Sequence, residues 1–377
     1  MRILAINWQD RKHPYAGGAE VHLHEILSRL GAKGHQVTLL CCGFDKAPDE
    51  EGYDNMHVIR RGERLLFNWG VPRWTRELMA RETYDVVIDD INKIPFYTAR
   101  FVDRPILAIV HHLFGKAIYR EVNPVSASYV YLAEALVPRY YRAVPVMVVS
   151  ESTRDDLVSK GMNRDLIRVV HNGIDPARYK PDASVPKAAE PTICFLGRLK
   201  RYKSIDHMLL AVKNLQGEMP ALTAHIVGSG GDEGRLRKTA ADLGLSSRVI
   251  FHGFTQFERK IDIVRQSWVV VCPSIKEGWG LTNIEANACG TPVICADVPG
   301  LRDSARHEQT GLLYPYGDIA ALTERLRRVI TDHELRERLS QGALEWAGRF
   351  SWDRAADETE SLLGRIMAGE RHIGRGF

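Results

Sequence analysis

Two glutamates eight positions apart, Glu277 and Glu285, are the side chains of this chain best suited to binding paired hydroxyl groups. Glu277 follows an apolar run at residues 268–272 that predicts a buried strand, and Glu285 lies in a helix predicted at residues 281–288. Ligands of open α/β sheets bind at the carboxyl ends of the strands, so one acid reaches this edge and the other faces it from the helix. Carboxylates accept hydrogen bonds from sugar and ribose diols. As an isolated pair, the two residues would be ordinary surface glutamates.

A basic segment, GRLKRYK at residues 197–203, directly follows another predicted strand at residues 192–196. Arginine binds phosphate oxygens bidentately, lysine acts as a point charge, and glycine lets the backbone approach a ligand. The segment therefore suits a diphosphate group. A solvated basic turn has the same composition.

Two glycine-rich segments also lie between a predicted strand and a predicted helix. The N–H groups around Gly17 and Gly18 can hold an anion at a helix start, although such a pair is more often only a turn. The second segment, VGSGGDEG at residues 227–234, fails the dinucleotide fingerprint G-x-G-x-x-G because Glu233 takes the place of the third glycine. Asp232 beside it adds a second negative charge that would repel a pyrophosphate.

His111 and His112 follow the apolar strand predicted at residues 106–110, again at a carboxyl end. A histidine with an unperturbed pKa of ~6.5 can transfer protons or donate hydrogen bonds near neutral pH. The alternative is a structural histidine that caps the strand.

Taken together, these motifs resemble the retaining glycosyltransferases of family 4. The pattern PS-x-x-E-G-x-G-L-x-x-x-E-A-x-A-x-G-T-P-V-I covers residues 273–294, and G-R-L-x-x-x-K covers residues 197–203. An opening G-G-x-E and G-H-x-V match residues 17–20 and 34–37, so the resemblance spans nearly the whole chain. It implies an α/β chain of the GT-B fold, in which two Rossmann-like, doubly wound parallel-sheet domains face each other across a cleft.

The resemblance also implies the roles of the site residues. Arg198 and Lys203 stabilise the departing diphosphate of a nucleotide-sugar donor, Glu277 binds hydroxyls of the donor sugar, and Glu285 binds the ribose. His111 contacts the donor sugar, with a register uncertain by one residue toward His112. The implied catalytic residues are His111, Arg198, Lys203 and Glu277, and the implied donor-binding residues are Gly17, Gly18, Gly197, Gly228, Gly278, Gly280, Leu281 and Glu285. Relatives often carry Phe at the place of Trp279, so the sugar pocket is expected to differ in shape.

Strands that alternate with helical segments predict two α/β domains. We expect an acceptor-side domain at residues 1–172, a linker at residues 173–190 that is rich in proline, alanine and charge, and a nucleotide-sugar-binding domain at residues 191–352. A helical tail at about residues 353–377 follows, and the resemblance implies that this tail packs back on the first domain.

The composition narrows the function classes. The net charge of +4 is mild and no nucleic-acid-binding motif occurs, so nucleic acid is not an expected partner. No signal peptide is predicted, and six cysteines without a C-x-x-C pair favour a reduced cytoplasmic compartment without structural zinc. No DxD motif is evident, since Asp89 and Asp90 lack its context. We therefore expect neither a cofactor nor a metal.

Two stretches, residues 58–80 and 119–141, interleave arginines with aromatic side chains. This composition suits an anionic lipid-linked acceptor or peripheral contact with the anionic inner face of the cell membrane. The alternative is ordinary amphipathic helices that pack on the sheet and carry solvated arginines.

The predicted function is metal-independent, retaining transfer of a hexosyl group from a UDP- or GDP-linked donor to a sugar or lipid-linked acceptor. The alternatives are another GT-B enzyme, such as a nucleotide-sugar epimerase or a phosphorylase, and a non-catalytic nucleotide-sugar-binding protein.

Overall fold

The computed structural model of the protein describes residues 1–92, 94–370 and 373–374, and the chain divides into two compact units. The first unit contains Met1–Gly173 and the returning segment Trp352–Phe377, and the second contains Ile174–Ser351. Residues 174–190, which the sequence assigns to a linker, lie within the second unit.

Each unit contains one β-sheet. The strands, in chain order, are β1 (Arg2–Ile6), β2 (Gln36–Cys41), β3 (Glu50–Tyr53), β4 (Met56–Arg60), β5 (Val86–Ile91), β6 (Ile106–Val110), β7 (Val146–Val148), β8 (Ile167–Val169), β9 (Thr192–Leu196), β10 (Thr223–Val227), β11 (Val249–Gly253), β12 (Val269–Cys272), β13 (Val293–Ala296) and β14 (Gly311–Tyr314).

The helices lie between these strands along the chain and follow the last of them. They are α1 (Gly18–Ala32), α2 (Phe67–Arg81), α3 (Pro124–Ala135), α4 (Val137–Tyr140), α5 (Glu151–Ser159), α6 (Ile205–Leu215), α7 (Glu233–Asp242), α8 (Phe257–Gln266), α9 (Leu281–Ala288), α10 (Leu301–Ser304), α11 (Ile319–Thr331), α12 (His333–Ala347) and α13 (Trp352–Met367).

The sheet of the first unit has the order β3-β4-β2-β1-β5-β6-β7-β8 and is parallel except for the β3–β4 pair. Its inner strands are buried along their length and rich in Val, Ile and Leu, as parallel strands covered on both faces require. The sequence pattern does not predict the β3–β4 hairpin, because β3 has the polar sequence EEGY. Its turn residues, Asp54 and Asn55, both have positive φ, which hairpin turns of type I′ require.

The sheet of the second unit is parallel and has the order β11-β10-β9-β12-β13-β14. The strand β9 therefore lies between β10 and β12, and the loops after these three strands begin at the same edge. In the first unit, β5 lies between β1 and β6, so the loops after those strands are neighbours in the same way. This parallel arrangement decides which predicted site residues can meet.

The helix α13 packs against α1 within the first unit. Arg29 forms an ion pair with Asp353, at 2.6 Å between the guanidinium and the carboxylate, and His35 lies 2.7 Å from Glu360. The helix ends at Met367, and residues 371–372 and 375–377 of the predicted helical tail lie outside the described residues.

Candidate functional site

The loops after β9 and β10 touch through their backbones. Gly197 and Gly228 have φ of +144° and +130°, and the Gly197 N–H donates to the Val227 carbonyl oxygen at 3.0 Å. A Cβ atom on Gly228 would lie 2.0 Å from the Gly197 oxygen. Only glycine at residue 228 combines this backbone conformation with this close approach, so the two loops can pack together only with glycine at this position.

The central feature of the second unit is an ion pair between Lys203 and Glu277. The Lys203 Nζ atom, on a 3₁₀ turn after β9, donates to the Glu277 Oε1 atom at 2.5 Å, and both side chains are mostly buried. The Ile275 N–H donates to the Tyr202 carbonyl oxygen at 3.0 Å and joins the two loops. Burial alone would lower the pKa of Lys203, but the Glu277 carboxylate outweighs it and raises the pKa well above the usual range. Lys203 is therefore a fixed cation.

Arg198 differs from Lys203 in its surroundings. Its side chain is exposed, and among the described residues the structure gives its guanidinium no ion-pair partner. The Leu199 N–H donates to the Ser229 carbonyl oxygen at 2.9 Å, which holds the basic segment against the second glycine-rich loop. An exposed guanidinium on an anchored loop can bind two phosphate oxygens at once.

The two acids of the second glycine-rich loop are both paired with arginines. Asp232 accepts from the Arg235 Nη2 atom at 2.6 Å, and Glu233 lies 2.8 Å from the Arg237 Nη2 atom. The repulsion of a pyrophosphate expected from the sequence is therefore weakened by two salt bridges at the start of α7. The spacings of three and four residues on a helix indicate these two salt bridges in the sequence.

Glu285 lies on α9 and accepts a hydrogen bond from the Tyr179 hydroxyl at 2.6 Å. The Lys260 Nζ atom donates to the same hydroxyl at 2.9 Å and lies 3.7 Å from the Glu285 Oε1 atom. Burial and the neighbouring Glu285 charge raise the pKa of Tyr179 well above its usual range. Sequence reasoning missed Tyr179 and Lys260. Tyr179 is the single aromatic residue in the predicted linker, and this was the available signal.

The loop between the two glutamates packs closely against other residues of the second unit. Gly280 has φ +74° at the start of α9, and a Cβ atom there would lie 2.6 Å from the Ser304 Oγ atom. Gly278 and Leu281 on either side are half-buried. Trp279 is buried, and its ring packs edge-on against Phe350 with centroids 5.1 Å apart. The large indole therefore fills the space beneath the loop.

In the first unit, Glu20 fixes the opening glycine loop. Its Oε2 atom accepts from the Gly17 N–H at 2.7 Å, and its Oε1 atom accepts from the Asn92 Nδ2 atom at 2.9 Å. Because Glu20 uses the Gly17 N–H, the candidate anion donor is the N–H of Gly18. That residue is exposed and begins α1, where N–H groups have no partner within the helix.

His111 is buried at the end of β6, and its Nε2 atom lies 2.8 Å from the Asp90 Oδ1 atom at the end of β5. Burial alone would lower the pKa of His111, but the charge and hydrogen bond of Asp90, with a smaller effect of Glu20, raise it. His112 instead packs on Phe114, with ring centroids 4.5 Å apart. The two histidines therefore have different partners. Sequence reasoning considered Asp90 only as a metal ligand, but adjacent strand ends would have suggested this contact.

His22 contacts the same cluster from α1. Its ring is fully buried and edge-on to His111, with centroids 4.9 Å apart, and Trp352 of α13 lies on another side at 6.1 Å. Neither ring nitrogen of His22 has a hydrogen-bond partner among the described residues. Burial and the nearby His111 lower the pKa of His22 well below its usual range, so this ring is neutral.

Within the described ranges, no group of three or more His, Cys, Asp or Glu side chains is arranged to hold a metal ion. The six cysteines are free and buried. No helix in the described part of the chain has the length and apolar character needed to span a membrane.

Two consecutive segments of the amino-acid sequence match family models. Residues 16–178 match Glycosyltransferase Family 4, and residues 179–346 match Glycosyl transferases group 1. The D-inositol 3-phosphate glycosyltransferase of Streptomyces bingchenggensis is 35% identical over 249 residues, which are 59% of this chain and 53% of that protein. The chain thus spans about half the length of this relative and of others with the same name.

Two solved structures resemble the whole chain. Sucrose-phosphate synthase from Thermosynechococcus elongatus has a TM-score of 0.83 and 22% identity, covering 98% of this chain and 100% of that one. Anabaena HepE in complex with UDP-glucose has a TM-score of 0.74 and 20% identity, covering 97% of this chain and 99% of that one. At these identities the likeness shows the fold, which is GT-B.

Proposed function

The chain belongs to the group 1 glycosyltransferases of family 4, and from that premise we propose that it moves a hexosyl group from a UDP- or GDP-linked sugar to an acceptor with retention of anomeric configuration. A nucleotide-sugar donor is supported by the structural neighbour HepE, which was crystallised with UDP-glucose. The acceptor proposed is a sugar or a lipid-linked or envelope glycan, and with it comes peripheral contact with an anionic membrane.

The observation that carries the proposal is the Lys203–Glu277 ion pair beside the exposed Arg198. The two cations follow β9 and the acid follows β12, and these strands are neighbours. One edge of the second unit therefore combines charges suited to a diphosphate with a carboxylate suited to sugar hydroxyls. These are the two chemical parts of a nucleotide-sugar on either side of the bond that breaks.

The Lys203 ammonium has three N–H donors, so it can keep its bond to Glu277 and also donate to a phosphate oxygen. As the bond between the anomeric carbon and the diphosphate breaks, negative charge grows on the leaving oxygens. Arg198 and Lys203 are preorganised to stabilise that charge, which is the form of electrostatic help that lowers a transition state most. Glu277 has a second carboxylate oxygen to accept from a hydroxyl of the sugar.

Glu285 is proposed to accept from the ribose hydroxyls, held in place by Tyr179 and Lys260. In the first unit, a contact of His111 with the donor sugar and an anion contact of the Gly18 N–H remain predictions from the family resemblance. A glycosidase pair of acid and nucleophile is not part of the proposal, because the substrate already carries a good leaving group. The proposed enzyme needs neither a cofactor nor a metal, so EDTA should leave turnover unchanged.

The test is a thermal-shift screen of UDP- and GDP-sugars followed by product analysis with the donor that binds. Ligand binding to the folded state raises the melting temperature, so the true donor stabilises the wild-type protein. We expect Arg198→Ala to lose most of this shift and to lower turnover about 100-fold or more. The matched control is Arg201→Ala, an exposed arginine of the same segment.

Two results would contradict the proposal. One is near-normal turnover in Arg198→Ala with the donor that stabilises the wild type. The other is a product without an acceptor: an isomer of the nucleotide-sugar, which an epimerase would give, or a sugar phosphate, which a phosphorylase would give. Donor binding without any turnover over a wide range of acceptors would favour the non-catalytic alternative.

A further inference from the structure

The large apolar side chains exposed on the first unit are concentrated in two segments, residues 65–69 and 119–136. Scattered exposed apolar residues are normal, whereas contiguous ones mark binding surfaces. The most exposed members are Leu65 at 84%, Val125 at 81%, Trp69 at 73% and Leu66 at 66%. We call the apolar patch the set Leu65, Leu66, Trp69, Val125, Tyr129 and Leu132.

The two segments meet in space although they lie far apart in the sequence. The Asn68 Nδ2 atom, in the first turn of α2, donates to the Tyr129 hydroxyl of α3 at 3.1 Å. Leu65, Leu66 and Trp69 flank Asn68 along the chain. The two exposed segments therefore form one surface.

The helix α3 presents an apolar stripe away from the core. Val125, Tyr129 and Leu132 follow the spacing of four and three residues that places side chains on one helix face. The opposite face, with Ala127 and Val130, is buried against the unit. An amphipathic helix normally buries its one apolar stripe, but α3 has a second one that faces solvent.

The structure also sorts the residues of the two basic and aromatic stretches. Arg60 is buried and paired with Asp10 and Glu51, so it carries no charge to the surface. Tyr141 is buried and donates to Asp89. Arg60 and Tyr141 therefore pack within the protein, as the alternative in the sequence analysis predicts. The residues of the apolar patch are exposed instead.

The charges that flank the patch are mainly positive. The one acid of α3, Glu134, is buried and accepts from the Phe114 and Gly115 N–H groups at 2.7 and 2.8 Å. Glu77 is neutralised by Arg73, 2.7 Å away. Apart from Arg73, the exposed cations in the two stretches and in the loops on either side of the second one outnumber the exposed acid Glu63, and Glu121 is half-buried. These cations are Arg64, Arg76, Lys116, Arg120, Arg139 and Arg142.

We infer that the apolar patch inserts into the surface of an anionic lipid bilayer, with the flanking arginines against the lipid phosphates. Apolar and aromatic side chains bordered by cations are the composition of an interfacial membrane surface. Trp69 suits this depth because its indole has an apolar body and a polar N–H. The inference gives a location to the membrane contact of the proposed function and does not depend on glycosyl transfer.

The experiment is flotation of the full chain with vesicles of phosphatidylcholine, with and without phosphatidylglycerol. We expect binding only to the anionic vesicles and weaker binding at high salt, because the screening of surface charges rises with ionic strength. The triple variant Leu65→Ser/Leu66→Ser/Trp69→Ser should bind about ten-fold more weakly or worse, because burial of each large side chain contributes substantially. The control variant Phe254→Ser changes a side chain of the second unit that is 87% exposed, and it should bind as the wild type does.

A second readout is quenching of tryptophan fluorescence by brominated lipid, which should fall in Trp69→Phe. Thermal melting and the donor-induced thermal shift should be unchanged in all these variants, so a failure of this inference is separable from a failure of the proposed function. The inference is overturned if the wild type ignores anionic vesicles or if the triple variant binds them equally well. A stable dimer that the triple variant disrupts would also overturn it, because a second copy would then cover the patch.

Discussion

The two units place polar side chains at the carboxyl ends of parallel strands, but they surround them differently. In the second unit, the edge after β9 and β12 has an exposed guanidinium and an ion pair that keeps Lys203 charged. In the first unit, the edge after β5 and β6 has a buried imidazole, His111, bonded to Asp90 and packed on the neutral His22. The same strand geometry thus supports charge binding in one unit and control of protonation in the other.

The largest effect is expected for Lys203→Ala, which removes the cation and leaves the mostly buried Glu277 unpaired. Turnover should fall about 100- to 1000-fold, because a preorganised donor at the leaving group is lost. Lys203→Arg keeps the charge and tests whether geometry also matters. Steady-state kinetics with the identified donor measures both. The control is Lys213→Ala, which changes an exposed lysine on α6. If Lys203→Ala loses no more activity than this control, Lys203 does not stabilise the leaving group.

Asp90→Asn tests the contact between Asp90 and His111 in the first unit through the dependence of stability on pH. The pKa of His111 is raised in the folded state. Its contribution to the free energy of unfolding is therefore full below the unfolded-state pKa of ~6.5 and is lost as the pH rises through the folded-state pKa. In Asp90→Asn this pH-dependent part should shrink, with a loss of about 1–3 kcal/mol at low pH and less at high pH.

Urea unfolding across this pH window, together with the titration of His111 by NMR, measures the effect of Asp90→Asn. A merely structural Asp90 would change stability equally at all pH values and leave the pKa of His111 in place. Asp89→Asn is not a suitable control, because Asp89 has its own buried partners, Thr98 and Tyr141. Asp45→Asn, which changes an exposed acid in the loop after β2, is suitable.

Tyr179→Phe removes one hydroxyl and tests whether it orients Glu285 in the second unit. The Phe ring keeps its packing on Phe257, so the lost interactions are the hydrogen bond to Glu285 at 2.6 Å and the one from Lys260 at 2.9 Å. We expect donor affinity to weaken by about 1.5 kcal/mol, roughly ten-fold, because Glu285 loses a donor that orients it. Isothermal titration with the donor nucleotide checks this. Unchanged affinity would mean that Glu285 does not need Tyr179 to bind the ribose.

His22→Leu is expected to have the smallest effect, and it should stabilise the protein, whereas the other variants lose activity, affinity or stability. Leucine has no ring nitrogens to bury without partners, so the free energy of unfolding should rise by about 1 kcal/mol at neutral pH. The pKa of His22 is depressed, so the wild type loses stability as the pH falls below ~6.5, and this loss should disappear in the variant. Urea unfolding at two pH values measures both effects. A destabilised variant would show that the edge-on contact with His111 outweighs the burial cost.

Much of the architecture was predictable, because the inner strands of both sheets are short apolar runs between turn residues. The GT-B fold and the family are confirmed by the comparisons. The hairpin β3–β4 was not predicted, because the charged edge strand β3 lacks an apolar pattern and its partner β4 is itself held by pairing with β2. The partners Tyr179 and Asp90 were also missed. Tyr179 lies far in sequence from Glu285, and the contact of Asp90 with His111 could be inferred only by assuming that the two predicted strands are neighbours in the sheet.

By itself, the sequence determined which residue types follow which strands: the arginine and lysine after β9, the glutamate after β12 and the histidine after β6. Strand order then decided which of these side chains meet, because β9 pairs with β12 and β5 pairs with β6. Only the tertiary structure could show that Lys203 is paired while Arg198 is exposed, or that His22 is neutral beside a His111 whose pKa is raised. Burial and the distance to a partner set these properties, and both arise from contacts between residues distant in the chain.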